Sequence, residues 1–280
     1  MTAEPVRSAT VNGATLSYVE AGRGPDTVVC VHGSLDDYRS WRAQLGPLSA
    51  HHRVIAYSRR YHYPNRWDGD GSDYSAELHA EDLAGLIRTV TDPPVHLLTS
   101  SYGGNVALYM TSQHGELVRS LVLGEPPLLP WLHHIAGGET HLQRFLDSTW
   151  LPARDAFGRG QLEEGARLFL DGVMGRPTFE HLAPAARQLI LDNAPEMAAE
   201  TLANRYFPPF TCEDARSLRQ PVLLCKGELS PEAFHLITDE LAACLPVARA
   251  PVVIARASHV MHIGNPQAYN RAVLAFLSQC

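Results

Sequence analysis

The sequence predicts an α/β fold: a doubly wound, mostly parallel sheet of about eight strands, helices on both faces, and an inserted all-helical lobe. Three observations carry this prediction. Short β-branched runs alternate with amphipathic stretches of helical period. Several of these runs, such as "DTVVCV" and "VHLLTS", are largely apolar without alternation, as strands covered on both faces are. The alternation stops between Pro126 and about Arg219, where the patterns are helical only, and then resumes.

Taken in order, "ATVNGATLSYVE" is a hairpin, with Asn12-Gly13 giving the type I′ turn signal between two alternating strands. "DTVVCVHG" is a buried strand ending at Gly33. "DDYRSWRAQLGPLS" has helical spacing through Tyr38, Trp41 and Leu45, with Asp36 or Asp37 as the cap. "RVIAYS" is the next strand. "SAELHAEDLAGLIRTV" is an amphipathic helix with Leu78, Leu83, Leu86 and Ile87 on one face. "VHLLTS" is a strand, "GNVALYMTSQHG" a helix and "RSLVLGEPP" a strand. Within the insertion, "LEEGARLFLDGVMG" and "LAPAARQLILDNA" are the clearest helices. Then come "QPVLLCKG" (strand), "EAFHLITDELAACL" (helix), "APVVIARASH" (strand) and the closing helix "PQAYNRAVLAFLSQ". The expected division is a core domain of residues 1–125 and 220–280 and a helical cap, or lid, of residues 126–219.

The composition bounds the function. The chain has 280 residues, 45% hydrophobic and 19% charged, enough for a large packed core. The formal net charge is -7 and there is no basic stripe, which argues against a nucleic-acid partner. No run approaches the roughly 20 apolar residues of a membrane span. "MTAEPVRSAT" has no apolar core of a signal peptide. The cysteines, Cys30, Cys212, Cys225, Cys244 and Cys280, are odd in number and form no Cys-x-x-Cys pair. They read as thiols without a disulfide framework, and the expectation is a reduced, cytoplasmic protein.

The chemistry centres on "VHLLTSSYGGNVAL", a strand, a turn and a helix start. A serine nucleophile on such an elbow takes strained backbone angles, and small residues two before and two after it let strand and helix approach. For Ser101 these are Thr99 and Gly103; for Ser100 they would be Leu98 and Tyr102, which are too large. Thr99 departs from the usual Gly-x-Ser-x-Gly. The bland alternative is a serine-rich turn without chemistry. Serine needs a base, and "ARASHVMHIGNP" places His259 just after the last strand, with His262 three residues on.

The order of a strand with "VCVHGS", then "SSYGGNVAL", a helical insertion, and "ASHVMHIGNP" before a final helix resembles the serine-nucleophile branch of the α/β-hydrolase family over nearly the whole chain. The resemblance implies a nucleophile, an acid and a histidine in that chain order, and a His–Gly loop that supplies one oxyanion donor. It implies that the N–H groups of Ser34 and Tyr102 are the oxyanion donors. The family commonly carries its acid as Gly-x-x-Asp after the penultimate strand. Here that stretch is Gly227-Glu228-Leu229-Ser230, and a serine has no charge to stabilise an imidazolium. Glu125, ending the strand beside the elbow strand, is the preferred acid, an arrangement similar to that of certain haloalkane dehalogenases; Glu228 is the runner-up. Dehalogenases and epoxide hydrolases attack with Asp, whereas Ser101 points to acyl chemistry.

The expectation is a serine hydrolase, carboxylesterase- or lactonase-like (EC 3.1.1), cleaving an ester, lactone or related acyl bond of a small to medium, partly apolar substrate through Ser101, His259 and Glu125. The alternatives are a C–C bond hydrolase, a lyase or cofactor-free oxygenase with His259 as base, and a non-catalytic ligand-binding protein. No cofactor and no metal are expected: His51-His52 and His133-His134 lack partners at ligand spacing. Tyr61, Trp131, Trp150 and Tyr206 are candidates to line the substrate pocket. Arg59-Arg60 in "YSRRYHYPN" suit either a substrate carboxylate or, more simply, a structurally paired loop. The expected partner is a small molecule, with no nucleic acid and no membrane, and a homodimer is left open. Lid motion is expected to concentrate at Gly137-Gly138.

Overall fold

The computed structural model describes residues 4–67, 70–203, 210–247 and 250–280. Among them, eight strands form one sheet: β1 (Arg7–Val11), β2 (Ala14–Ala21), β3 (Thr27–Val31), β4 (Arg53–Tyr57), β5 (Val95–Ser100), β6 (Val118–Gly124), β7 (Val222–Gly227) and β8 (Val252–Ile254). Their order across the sheet is β1-β2-β4-β3-β5-β6-β7-β8. The hairpin turns at Asn12 and Gly13, both at positive φ as a type I′ turn requires. β2 meets β4 antiparallel, and every pairing from β4 onward is parallel. All residues of β3 and β5 are buried, which is why these strands carry no alternation in sequence.

Alternate residues along the central strands feed two cores. Val29, Leu97 and Leu121 pack on one face beneath α2 (Ala76–Val90), α3 (Tyr102–Gln113) and α10 (Glu232–Cys244). Val28, Cys30, Leu98 and Val122 pack on the other beneath α1 (Arg42–Ser49) and α12 (Pro266–Leu277), which follows the short α11 (Met261–Gly264). No helix among the described residues is long and apolar enough to cross a membrane.

Between β6 and β7 the described regular elements are all helical: α4 (Gly138–Phe145), α5 (Leu151–Gly158), α6 (Leu162–Met174), α7 (Pro184–Asp192), α8 (Ala194–Leu202) and α9 (Cys212–Ser217), with single turns between some of them. These helices build a third core around Trp150, Phe157, Phe169, Phe179 and Met197, and Leu35 and Phe234 enter it from the sheet side. α9 joins the sheet-side core through Ala215, as do Leu142 of α4 and Ala199 of α8.

One expectation fails here. Cys212 and Cys244 form a disulfide with their Cα atoms 5.3 Å apart. Thirty-two positions separate the two cysteines, so spacing gave no hint of the pairing; α9 packing on α10 brings them together. The odd cysteine count therefore does not indicate a reduced chain.

Candidate active site

The sheet itself sets the site. Ser101 and Glu125 each stand one residue past the end of neighbouring strands, and the register pairs Ser100 with Gly124. The Ser101 N–H donates to Gly124 O at 2.8 Å. Both residues take the left-handed region, Ser101 at φ 51° and Glu125 at φ 46°. That conformation costs about 1–3 kcal/mol per non-glycine residue and persists only where the surroundings over-determine it. Here the turn into α3 provides the room. A Cβ on Gly103 would stand 2.3 Å from Val31 O, and one on Gly104 would stand 2.9 Å from Pro126 Cβ. Thr99 fits where the family has glycine because its hydroxyl donates to Val122 O at 2.9 Å and faces the side that Gly104 leaves bare.

The Ser101 hydroxyl lies 2.9 Å from Nε2 of His259. Nδ1 of His259 lies 2.7 Å from Oε2 of Glu125. A carboxylate oxygen accepts, so the proton sits on Nδ1 and leaves Nε2 to accept from the serine. His259 is held from the side as well: the Phe234 ring stacks on it with centroids 3.9 Å apart. Glu125 is fully buried, and three donors converge on it: His259, the Gly227 N–H at 2.8 Å and the Ser230 hydroxyl at 3.0 Å. Ser230, at the position where the resemblance would put an acid, thus donates to Glu125 instead. Glu228 is exposed and accepts from the Arg256 N–H at 2.7 Å, turned away from the histidine.

The loop His32–Leu35 faces Ser101 across this corner. Arg59 is buried, and its guanidinium donates to His32 O at 3.2 Å and to Gly33 O at 3.0 Å. In a trans peptide the N–H points opposite to the C=O. The Ser34 N–H is therefore directed away from Arg59, while the Leu35 N–H is taken by Oε1 of Glu196 at 2.6 Å. Tyr102, next after Ser101, opens α3, where N–H groups lie outside the helix's own ladder.

A cavity of about 150 Å³ opens on Ser101 and His259. Its wall is apolar, with Leu35, Phe169, Val173, Met174, Ile190 and Ile263. Ser34 and Asp36 also reach it, and among the described residues no lysine or arginine does.

The aromatic candidates lie elsewhere. Tyr61 gives its hydroxyl to Asp73 at 2.5 Å and packs against Trp67, so it does not line this cavity. Trp131 donates its indole N–H to Phe210 O and borders a separate groove. Trp150 is buried one layer back, behind Phe169. Tyr206 lies outside the described residues. Arg60 pairs with Asp82 at 2.6 Å and Arg59 with backbone and Tyr74, so neither reaches the cavity. Sequence reasoning missed Glu196, Glu200, Tyr74 and Phe234. The two glutamates sit four apart among small and apolar residues in "APEMAAETL". A like-charged pair at that spacing is unfavourable on a helix, and that conflict was the available signal.

A model of the alpha/beta hydrolase family matches residues 28–272. The chain belongs to this family. The uncharacterized hydrolase YraK of Bacillus subtilis is 30% identical over 123 residues, 44% of this chain and 45% of that protein, so the match spans under half of YraK. A putative 2-succinyl-6-hydroxy-2,4-cyclohexadiene-1-carboxylate synthase of Bacillus subtilis is 26% identical over 273 residues, 93% of this chain and 94% of that one. Among solved structures, the enol-lactonase from Burkholderia xenovorans LB400 superposes with a TM-score of 0.75 at 20% identity, covering 97% of this chain and 100% of that one. That likeness concerns the fold. Membership of the alpha/beta hydrolase family places the fold; the reaction and the substrate are a separate question.

Proposed function

We propose that the protein is a serine hydrolase that cleaves an ester or lactone of a small, uncharged, apolar acyl group through an acyl-enzyme. The observation that carries this reading is the continuous relay Ser101–His259–Glu125, at 2.9 and 2.7 Å. His259 takes the Ser101 proton as Oγ bonds to the carbonyl carbon, and Glu125 steadies the imidazolium without taking the proton. The oxyanion is received by the N–H groups of Ser34 and Tyr102. His259 then protonates the leaving alcohol, and water, with His259 again as base, releases the acid.

The apolar wall and the absence of a nearby cation among the described residues favour a neutral acyl group. Residues 1–125 and 220–280 would form the core and 126–219 the cap whose helices supply most of that wall. A second reading, a lyase with His259 as base, draws on the synthase likeness. That relative's name carries a carboxylate, and Arg59 and Arg60 are both engaged away from the cavity, which weighs against it.

Steady-state kinetics on p-nitrophenyl esters of increasing chain length test the proposal. Butyrate should be turned over well and palmitate poorly, with activity abolished in Ser101→Ala. Wild-type turnover by Ser101→Ala would overturn it.

A further inference from the structure

Beneath the His32–Leu35 loop lies a buried polar cluster that the relay does not use. Glu196 and Glu200 project from α8 to the sheet side, each no more than 1% exposed. Glu196 accepts the Leu35 N–H through Oε1. Its Oε2 lies 3.3 Å from the Tyr74 hydroxyl, and also 3.1 Å from Nε2 of His62 without the alignment of a hydrogen bond. Glu200 stands beside the Ser34 side chain and lies 3.1 Å from the Tyr74 hydroxyl. Tyr74 in turn accepts from Arg59 at 3.1 Å.

The loop is therefore gripped from two sides. Arg59 fixes the carbonyls of residues 32 and 33; from the inserted helices Glu196 fixes the Leu35 N–H, and Glu200 stands beside Ser34 and is linked to Glu196 through the Tyr74 hydroxyl. Leu35 needs that grip, because it stands at φ 53°, a conformation a leucine does not hold unaided. Two buried carboxylates beside one guanidinium are a poor device for stability. Burial, and after it the neighbouring Glu200, hold the Glu196 carboxyl well above its ordinary range. The cluster does have a local effect: Arg59 and Glu196 hold the peptides on either side of Ser34, the expected oxyanion donor.

We propose that Glu196 and Glu200 are positioning residues for the oxyanion loop, so that seating α8 on the sheet domain completes the catalytic centre. This rests on the serine-hydrolase reading. The inserted helices then do more than wall the cavity: without α8 in place, the Ser34 N–H loses its aim.

The test follows labelling of Ser101 by a fluorophosphonate, read by intact mass, alongside kcat and KM on p-nitrophenyl butyrate. In the labelling step Ser101 Oγ bonds to phosphorus, fluoride leaves, and the hydroxyl proton passes to His259. Glu196→Ala and Glu200→Ala should label about 10- to 100-fold more slowly and lose kcat in step, with KM within about twofold of wild type. Glu196→Gln keeps an acceptor oxygen for Leu35 and should stay within about threefold of wild type. Should the alanine variants fail to fold, Ser34→Ala removes only the hydroxyl beside Glu200, and its labelling should still slow by about threefold or more. Alanine variants, or in their place Ser34→Ala, that label at the wild-type rate overturn the proposal alone. So does an equal loss in Glu196→Ala and Glu196→Gln. A wild type that is not labelled at Ser101 overturns the serine reading and this proposal with it.

Discussion

At the scale of single residues, the proposed mechanism divides the work of the relay unevenly, and substitution should show it. Ser101→Ala removes the bond-forming atom and should lose roughly three or more orders of magnitude in kcat. Glu125→Gln leaves the shape of the site but takes away the charge that steadies the imidazolium. It should cut kcat by about a thousandfold with little change in KM. Glu228→Gln, whose carboxylate serves Arg256 on the surface, should stay within about twofold. Equal losses in the two glutamine variants, measured with folding checked by circular dichroism, would move the acid away from Glu125.

His262 offers a different residue-level test. Its ring stacks on Trp41 with centroids 4.5 Å apart, and burial, then the nearby His259, push its pKa from 6.5 down to about 3. A base whose folded pKa is depressed favours the unfolded chain once protons become available. Its contribution is therefore intact above pH 6.5 and is lost as the pH falls from there towards 3. His262→Phe keeps the stack and removes the titration. Between about pH 8 and about pH 5 it should lose about 2 kcal/mol less stability than wild type in urea unfolding. Parallel loss in the two proteins would contradict the buried, neutral imidazole.

At the scale of elements, the insertion is pinned at one end. Asn193, between α7 and α8, donates to Asp37 at 2.7 Å and accepts the Tyr63 N–H at 2.9 Å, and Asp192 meets Arg39 at 2.8 Å. With Glu196 and Glu200 these bonds tie α8 to the sheet domain. Amide exchange in α8 should accordingly be nearly as slow as in β5, while α4, which begins at Gly137 and Gly138, exchanges faster. Uniform protection across residues 126–219 would rule out lid motion near Gly137; fast exchange in α8 would contradict its seating. The Cys212–Cys244 bond closes a loop that contains α9, β7 and α10. Replacing both cysteines by serine should cost about 2–4 kcal/mol in denaturant unfolding, less whatever strain is relieved.

At the scale of the whole molecule, what was legible in the sequence is what local rules write. Apolar runs of five or six residues, helical periods and the Asn-Gly turn announce the sheet and its helices, because each depends on neighbours in the chain. The meeting of Ser101 and Glu125 follows from the same logic, since both end adjacent parallel strands and so share one edge. His259 lies just beyond the last strand of that edge. The features that stayed hidden depend on packing between distant segments. Nothing local says that α8 carries its glutamates inward, that Cys212 meets Cys244, or that Ser230 supports an acid from another strand. The aromatic candidates misled for the same reason: Tyr61 and Trp131 are placed by partners, Asp73 and Phe210, that the chain's order does not reveal.

The proposed mechanism requires Ser101 to become covalently acylated during turnover. It is tested most directly by quenching the protein with acid during steady-state hydrolysis of p-nitrophenyl acetate and measuring its intact mass, then locating the adduct by peptide mapping. One acetyl group, on Ser101, should accumulate in wild type, persist longer in Glu125→Gln and be missing from Ser101→Ala. Sustained turnover with no adduct in wild type, and undiminished turnover in Ser101→Ala, would contradict it.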